Sequence, residues 1–89
     1  VIKVEDFNCL HEIIRSELIC SGSKQKKFFN LNNFPKVRIL LVNKCEIELI
    51  EEYTFSNFSQ LEELDISLNK IEQFNFNTFD SLRNLIDLT

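Results

Sequence analysis

"LEELDISLNKIEQFNFNTFDSLRN", from Leu61 to Asn84, carries its apolar residues in a rhythm that neither one helix nor one strand produces. Apolar side chains fall at Leu61, Leu64, Ile66, Ile71, Phe74, Phe79 and Leu82, with Asn69 between the third and the fourth. One full length of this stretch earlier, Val37, Leu40, Val42, Ile47, Ile50, Phe55 and Phe58 occupy the same places, and Cys45 stands where Asn69 does. Leu85 and Leu88 open a third unit before the sequence reaches Thr89. Agreement at eight places with fixed spacing makes this an internal repeat, and repetition decides the fold.

Each place in the unit has a physical reason. Leu40 and Val42, like Leu64 and Ile66, alternate with period two, so each pair points to one side of a short strand while its neighbours point to the other. One strand per unit, always followed by a return segment, stacks as a parallel sheet with strands about 4.8 Å apart. Asn69 follows the strand where the backbone turns away, and its amide can satisfy backbone groups that would otherwise be buried and unpaired. Cys45 has only a weak S–H donor, so its step of this ladder is the weaker one. Phe55 and Phe79 are placed to stack between units on the far side.

The unit resembles the 24-residue, extracellular type of leucine-rich repeat over Val37 to Thr89. That resemblance implies an α/β repeat fold, a leucine-rich repeat solenoid. Its parallel one-strand-per-repeat sheet would lie on the concave face, its convex side would be irregular or short helical, and a Cys-containing cap would close the amino terminus. The expected divisions are a cap over 1–36, repeats over 37–60 and 61–84, and the start of a third repeat over 85–89. A fragment of a longer protein is expected, since about three units are needed for a stable stack. The cap reading pairs Cys9 with Cys20 in a disulfide and leaves Cys45 as the odd thiol. The competing reading is three reduced core cysteines in a cytosolic repeat protein. Zinc fits poorly, with no C-x-x-C pair and His11 the single His.

Composition narrows the function. At 89 residues the chain is one domain at most, and at 44% apolar with nine Phe it is built to order, not to stay disordered. Residues 1–45 hold eight Lys and Arg against four Asp and Glu, whereas 46–89 hold two against ten. An acidic half of this kind argues against nucleic acid as a partner. Ile39 to Val42 is the longest apolar run, far short of the roughly 20 residues that span a bilayer. Lys24, Lys26 and Lys27 read as a solvated loop, and Glu46, Glu48, Glu51 and Glu52 as surface charge, not as an acid–base pair. Gly22 alone rules out a Gly-rich phosphate loop. Neither an enzyme nor a cofactor is expected.

Repetition instead offers a recognition surface. With Leu40, Val42, Leu64, Ile66 and Leu88 inward, the opposite face presents Ile39, Leu41 and Asn43 in one strand, Glu63, Asp65 and Ser67 in the next, then Asp87 and Thr89. Asp65 and Asp87 are expected as lateral neighbours in an acidic strip suited to a basic partner. Ile39 and Leu41 are expected either beneath the cap or in an apolar contact patch. Asn57-Phe58-Ser59 is an acceptor sequence for N-glycosylation, with Asn57 facing solvent. The resemblance implies binding of a protein ligand or co-receptor, with dimerisation through the parent protein. It implies an extracellular setting, secreted or at the cell surface. A receptor ectodomain of the Toll-like, innate immune group comes first, a secreted matrix or cell-adhesion protein second and a cytosolic repeat adaptor third.

Overall fold

A computed structural model describes residues 2–4, 9–22, 24, 26–28, 36–74 and 77–89, with side chains from residue 9 onward. Of the span expected to form a cap, residues 1, 5–8, 23, 25 and 29–35 lie outside the described residues. The elements are all strands: β1 (Ile2–Val4), β2 (Cys9–Glu12), β3 (Glu17–Ser21), β4 (Ile39–Asn43), β5 (Leu49–Ile50), β6 (Glu63–Asp65), β7 (Gln73–Phe74) and β8 (Asp87–Leu88). Six of them form one sheet in the order β1-β2-β3-β4-β6-β8. The first three strands pair antiparallel, and β3, β4, β6 and β8 then pair parallel.

Backbone hydrogen bonds show why the parallel part repeats. The Ser16 carbonyl accepts from the N–H groups of Arg38 and Ile39, the Arg38 carbonyl from Glu62 and Glu63, and the Glu62 carbonyl from Ile86 and Asp87. A second series runs down the return side, from the Lys26 carbonyl to Glu48 and Leu49, and from the Glu48 carbonyl to Glu72 and Gln73. Ser16 and Lys26 thus stand in the places that later units fill with Arg38 and Glu48. Residues that break the apolar pattern nonetheless continue the ladder. The corner after each strand recurs as well, with positive φ at Gly22, Lys44 and Leu68. Glycine adopts that conformation without a Cβ clash, whereas Lys44 and Leu68 bear a conformational cost that the ladder on either side must offset.

Of the two forms expected for the return side, irregular or short helical, the described residues take the irregular one. Among the described residues there is no helix. N–H groups of Thr54, Ser56 and Phe58 bond to carbonyls three residues back, and Asp80 and Leu82 repeat the last two of these bonds one unit later. Such bonds on alternate residues make linked turns, not a continuous helical ladder. "YTFSNFS" suits this, because aromatic, β-branched and small polar residues are weak helix formers. The return side also holds a strand pair that the one-strand-per-unit reading does not contain, β5 with β7 in parallel register, flanked by a bridge from Lys27 to Leu49.

The core is built from the inward repeat positions together with Cys9, Leu18 and Cys20 of the hairpin. Every repeat position of the first unit, Val37, Leu40, Val42, Cys45, Ile47, Ile50, Phe55 and Phe58, is at most 1% exposed. In the second unit Leu61 and Leu64 are equally buried, but Ile66, Ile71 and Phe79 are only half-buried and Phe74 is 56% exposed. Packing explains the difference, since the first unit is covered on both sides and the second chiefly on one. Phe55 touches Phe28 edge-on at 5.3 Å, stacks with Phe79 at 5.8 Å and lies 6.3 Å from Phe58, measured between ring centroids.

Candidate functional site

Strand alternation puts two sets of side chains on opposite faces of the six-stranded sheet. Leu18, Cys20, Leu40, Val42 and Leu64 are buried beneath it, so Glu17, Ile19, Ile39, Leu41, Glu63 and Asp65 rise from the other side. Register then sorts the exposed set into rows across the strands. One row reads Glu12, Glu17, Ile39, Glu63, Asp87, and the next reads Leu10, Ile19, Leu41, Asp65. Glu63, not Asp65, is therefore the lateral neighbour of Asp87, because both pairs of the β6–β8 ladder are separated by one repeat length. The expected pairing of Asp65 with Asp87 is a diagonal one. The amino-terminal hairpin lies beside β4 in the same sheet and leaves Ile39 and Leu41 half-buried on its surface. Beside the described part of the hairpin the two side chains are only partly accessible, and part of the span expected to form the cap lies outside the described residues.

Carboxylates on this face differ in their commitments. Asp65 Oδ1 accepts the Ser67 N–H at 2.9 Å, and its Oδ2 accepts from Asn43 Nδ2 at 3.3 Å. Bonds from the Ser67 hydroxyl and N–H hold the Asp65 carboxyl below the usual carboxylate range, assisted by Asn43 and opposed by partial burial. Asp65, Ser67 and Asn43 thus form one bonded cluster that fixes the ends of β4 and β6. At the opposite ends of the strands, Glu62 accepts a two-pronged bond from Arg38, at 2.6 and 3.1 Å, which holds its carboxyl low as well. That pair lies at the surface, where screening makes its net worth small.

A pH dependence follows from the sign of the Asp65 shift. A carboxyl whose pKa is lower in the folded state contributes stability above the unfolded value, near 3.8, and loses it as pH falls through the folded value. Asp65→Asn is expected to cost about 1 to 1.5 kcal/mol at pH 7. The difference from the parent chain should shrink as the pH is lowered through about 4 toward 2. Urea unfolding at several pH values measures this, and a difference independent of pH would show that the charge is not what the cluster uses.

Behind the sheet, the ladder position does different work in the two units. Asn69 Oδ1 accepts the N–H groups of Cys45 and Ile47 at 2.9 and 3.1 Å, while Nδ2 donates to the carbonyls of Val42, Ile66 and Ser67 at 2.7, 2.9 and 3.2 Å. Cys45 is a buried thiol outside the disulfide, and its Sγ lies 3.1 Å from the Asn43 carbonyl and 3.7 Å from that of Cys20. Cys9 and Cys20 face each other across β2 and β3, are fully buried and form a disulfide.

Other residues singled out from sequence fall on the surface. Lys26 and Lys27 sit 3.9 and 3.8 Å from Glu48 and Glu51, Lys70 lies 3.5 Å from Glu46, and Glu52 accepts from Asn77 at 2.9 Å. Asn57 is exposed on a turn beside buried Phe58. Among the described residues no group of His, Cys, Asp and Glu could hold a metal ion, and no helix is long and apolar enough to cross a membrane. Sequence reasoning missed Leu10 and Ile19, which extend the apolar patch onto the hairpin. The available signal was "ELICS", whose alternation matches "ILLVN" but which precedes it by less than one repeat length.

Over residues 35–89 the chain matches the family described as Leucine rich repeat. Neither the curated proteins nor the solved structures contain a match to the chain.

Proposed function

Because the chain belongs to the leucine-rich repeat family, whose domains serve protein interaction, we propose that it is a recognition module of a secreted or cell-surface receptor. In this reading it acts by binding a protein ligand or co-receptor on the exposed face of the sheet, not by catalysis, and nucleic acid is not its partner. The observation that carries the extracellular setting is the buried disulfide at the head of the sheet, since such bonds persist in oxidising compartments. The hairpin that it closes then serves as the amino-terminal cap, and the stack behind it as a solenoid. Exposed Asn57 is the acceptor for an N-linked glycan, on the side away from the sheet. Within this class a Toll-like receptor ectodomain is the first assignment, with dimerisation through the parent protein. A matrix or adhesion protein is the second.

A thiol count tests the setting directly. Protein from its native source, alkylated after unfolding without reductant, is expected to show one reactive thiol, with peptide mapping joining Cys9 to Cys20. Three thiols would transfer the assignment to an intracellular adaptor. Replacing both Cys9 and Cys20 with Ser should lower stability by about 2 to 3 kcal/mol, as closing a loop of this size implies. The sequence of the complete parent chain separates the two extracellular assignments: a membrane span with a cytoplasmic signalling domain marks a receptor, and a second cap followed by a stop marks a matrix protein.

A further inference from the structure

The exposed face is divided along the strand order, and the division specifies a partner. Leu10, Ile19 and Leu41 are laterally paired across β2, β3 and β4, with Ile39 in the adjoining row. Leu10 is 49% exposed and the other three are half-buried, so together they form one apolar patch. Immediately beyond it, Glu63 and Asp87 face each other on β6 and β8, both exposed. Like charges opposite one another on neighbouring strands destabilise the sheet. Among the described residues no ion pair includes either of them, although Glu17 in the same row has Arg15 at 3.9 Å. Asp65 adds negative potential nearby but is already bonded to Ser67 and Asn43. Among the described residues, the patch and the two carboxylates are therefore left for a partner.

We propose that this face takes a basic amphipathic protein segment, which seats an aliphatic or aromatic side chain on Leu10, Ile19, Ile39 and Leu41 and places a Lys or Arg between Glu63 and Asp87. Strand spacing puts the carboxylates about 5 and 10 Å from β4. Side chains on one face of an extended segment recur about every 6.7 Å, so the cation lies two residues from an anchor seated over β4, on either side of it in sequence. A cation there relieves the repulsion between the two carboxylates, and an acidic segment would add to it. The assignment rests on the reading of the sheet as the recognition face, and it adds the chemistry of what is recognised.

The test pans a library of random displayed 12-residue peptides against the disulfide-intact chain and measures the selected peptides in low and moderate salt. Enrichment of an apolar residue with Lys or Arg two positions away, in one consistent order, is expected. Glu63→Gln with Asp87→Asn should weaken those peptides by about threefold to tenfold and flatten their salt dependence. Leu41→Ser should weaken them by a similar factor. Peptides that respond to Leu41→Ser but carry no cation, or are indifferent to the carboxylate pair, would overturn the proposed chemistry and leave the recognition face standing. Peptides indifferent to both but lost on Tyr53→Ser, on the return side, would overturn the face itself. Failure to enrich any peptide above a blocked surface also counts against the proposal. The carboxylate variants are isosteric and exposed, so loss of fold does not confuse the outcome, and circular dichroism checks this.

Discussion

Replacing Asn69 with Ala is expected to destabilise the chain by about 3 to 5 kcal/mol, a large effect for one polar side chain. Two of its bonds satisfy N–H groups of the preceding unit, on Cys45 and Ile47, and both of those residues are fully buried. Each orphaned donor costs about 1 to 3 kcal/mol, and three carbonyls lose a partner as well. Small domains have a total stability of about 5 to 15 kcal/mol, so the variant should be poorly folded at body temperature. Asn69→Asp separates the two halves of the amide. It keeps the acceptor for Cys45 and Ile47 but turns a second oxygen toward three carbonyls, so it should also be strongly destabilising. Urea unfolding of both variants measures the effect. A loss below about 1 kcal/mol for Ala would mean that water replaces the amide at its partly exposed edge.

Phe55→Ala should cost about 3 to 5 kcal/mol, and Phe79→Ala clearly less, in the range of about 1 to 3 kcal/mol. The two rings are equivalent in the repeat and stack on each other, so sequence alone assigns them equal weight. Their surroundings differ. Phe55 has ring neighbours on both sides, Phe28 before it and Phe79 after it, and is fully buried, whereas Phe79 is half-buried. A cavity left at Phe55 is enclosed by the core, while one at Phe79 can admit water or collapse. Unfolding experiments on the two variants in parallel decide the matter, and equal losses would show that both sites are equally enclosed.

These contrasts mark what was legible in the residues. Strand alternation, inward rows and the bridging Asn69 all follow from period and spacing, because every unit must bury the same face against its neighbours. The lateral neighbour of Asp87 also follows from the repeat length, which selects Glu63 once it is applied strictly. The return side was less readable. Two-residue strands such as Leu49–Ile50 are too short to show a period, and they form because the backbone ladder continues around the turn. The hairpin was hardest, because Leu10 and Ile19 join the exposed face through an antiparallel pairing and a shortened step, neither of which belongs to the repeat. The bonds of Asp65 to Ser67 and Asn43 depend on side-chain geometry at the strand ends, for which the sequence carries no periodic signal.

The doubly used carbonyls of Ser16, Arg38 and Glu62 bear on how such a chain can change length. Each accepts two donors at the entry to the next strand, one just before it and one at its first residue, so the junction after every unit presents the same chemical fitting. Between Arg38 and Glu62, and again between Glu62 and Ile86, the fitting recurs at the repeat length. Duplicating or deleting one whole unit regenerates it, whereas adding a single residue within a strand would turn the rest of that strand's side chains to the wrong face. The shorter step from Ser16 to Arg38 shows that return segments tolerate a change of length without breaking the junction. Growth in whole modules, with slack confined to the turns, is therefore written into the backbone, and a recognition surface can be lengthened without redesigning what is already there.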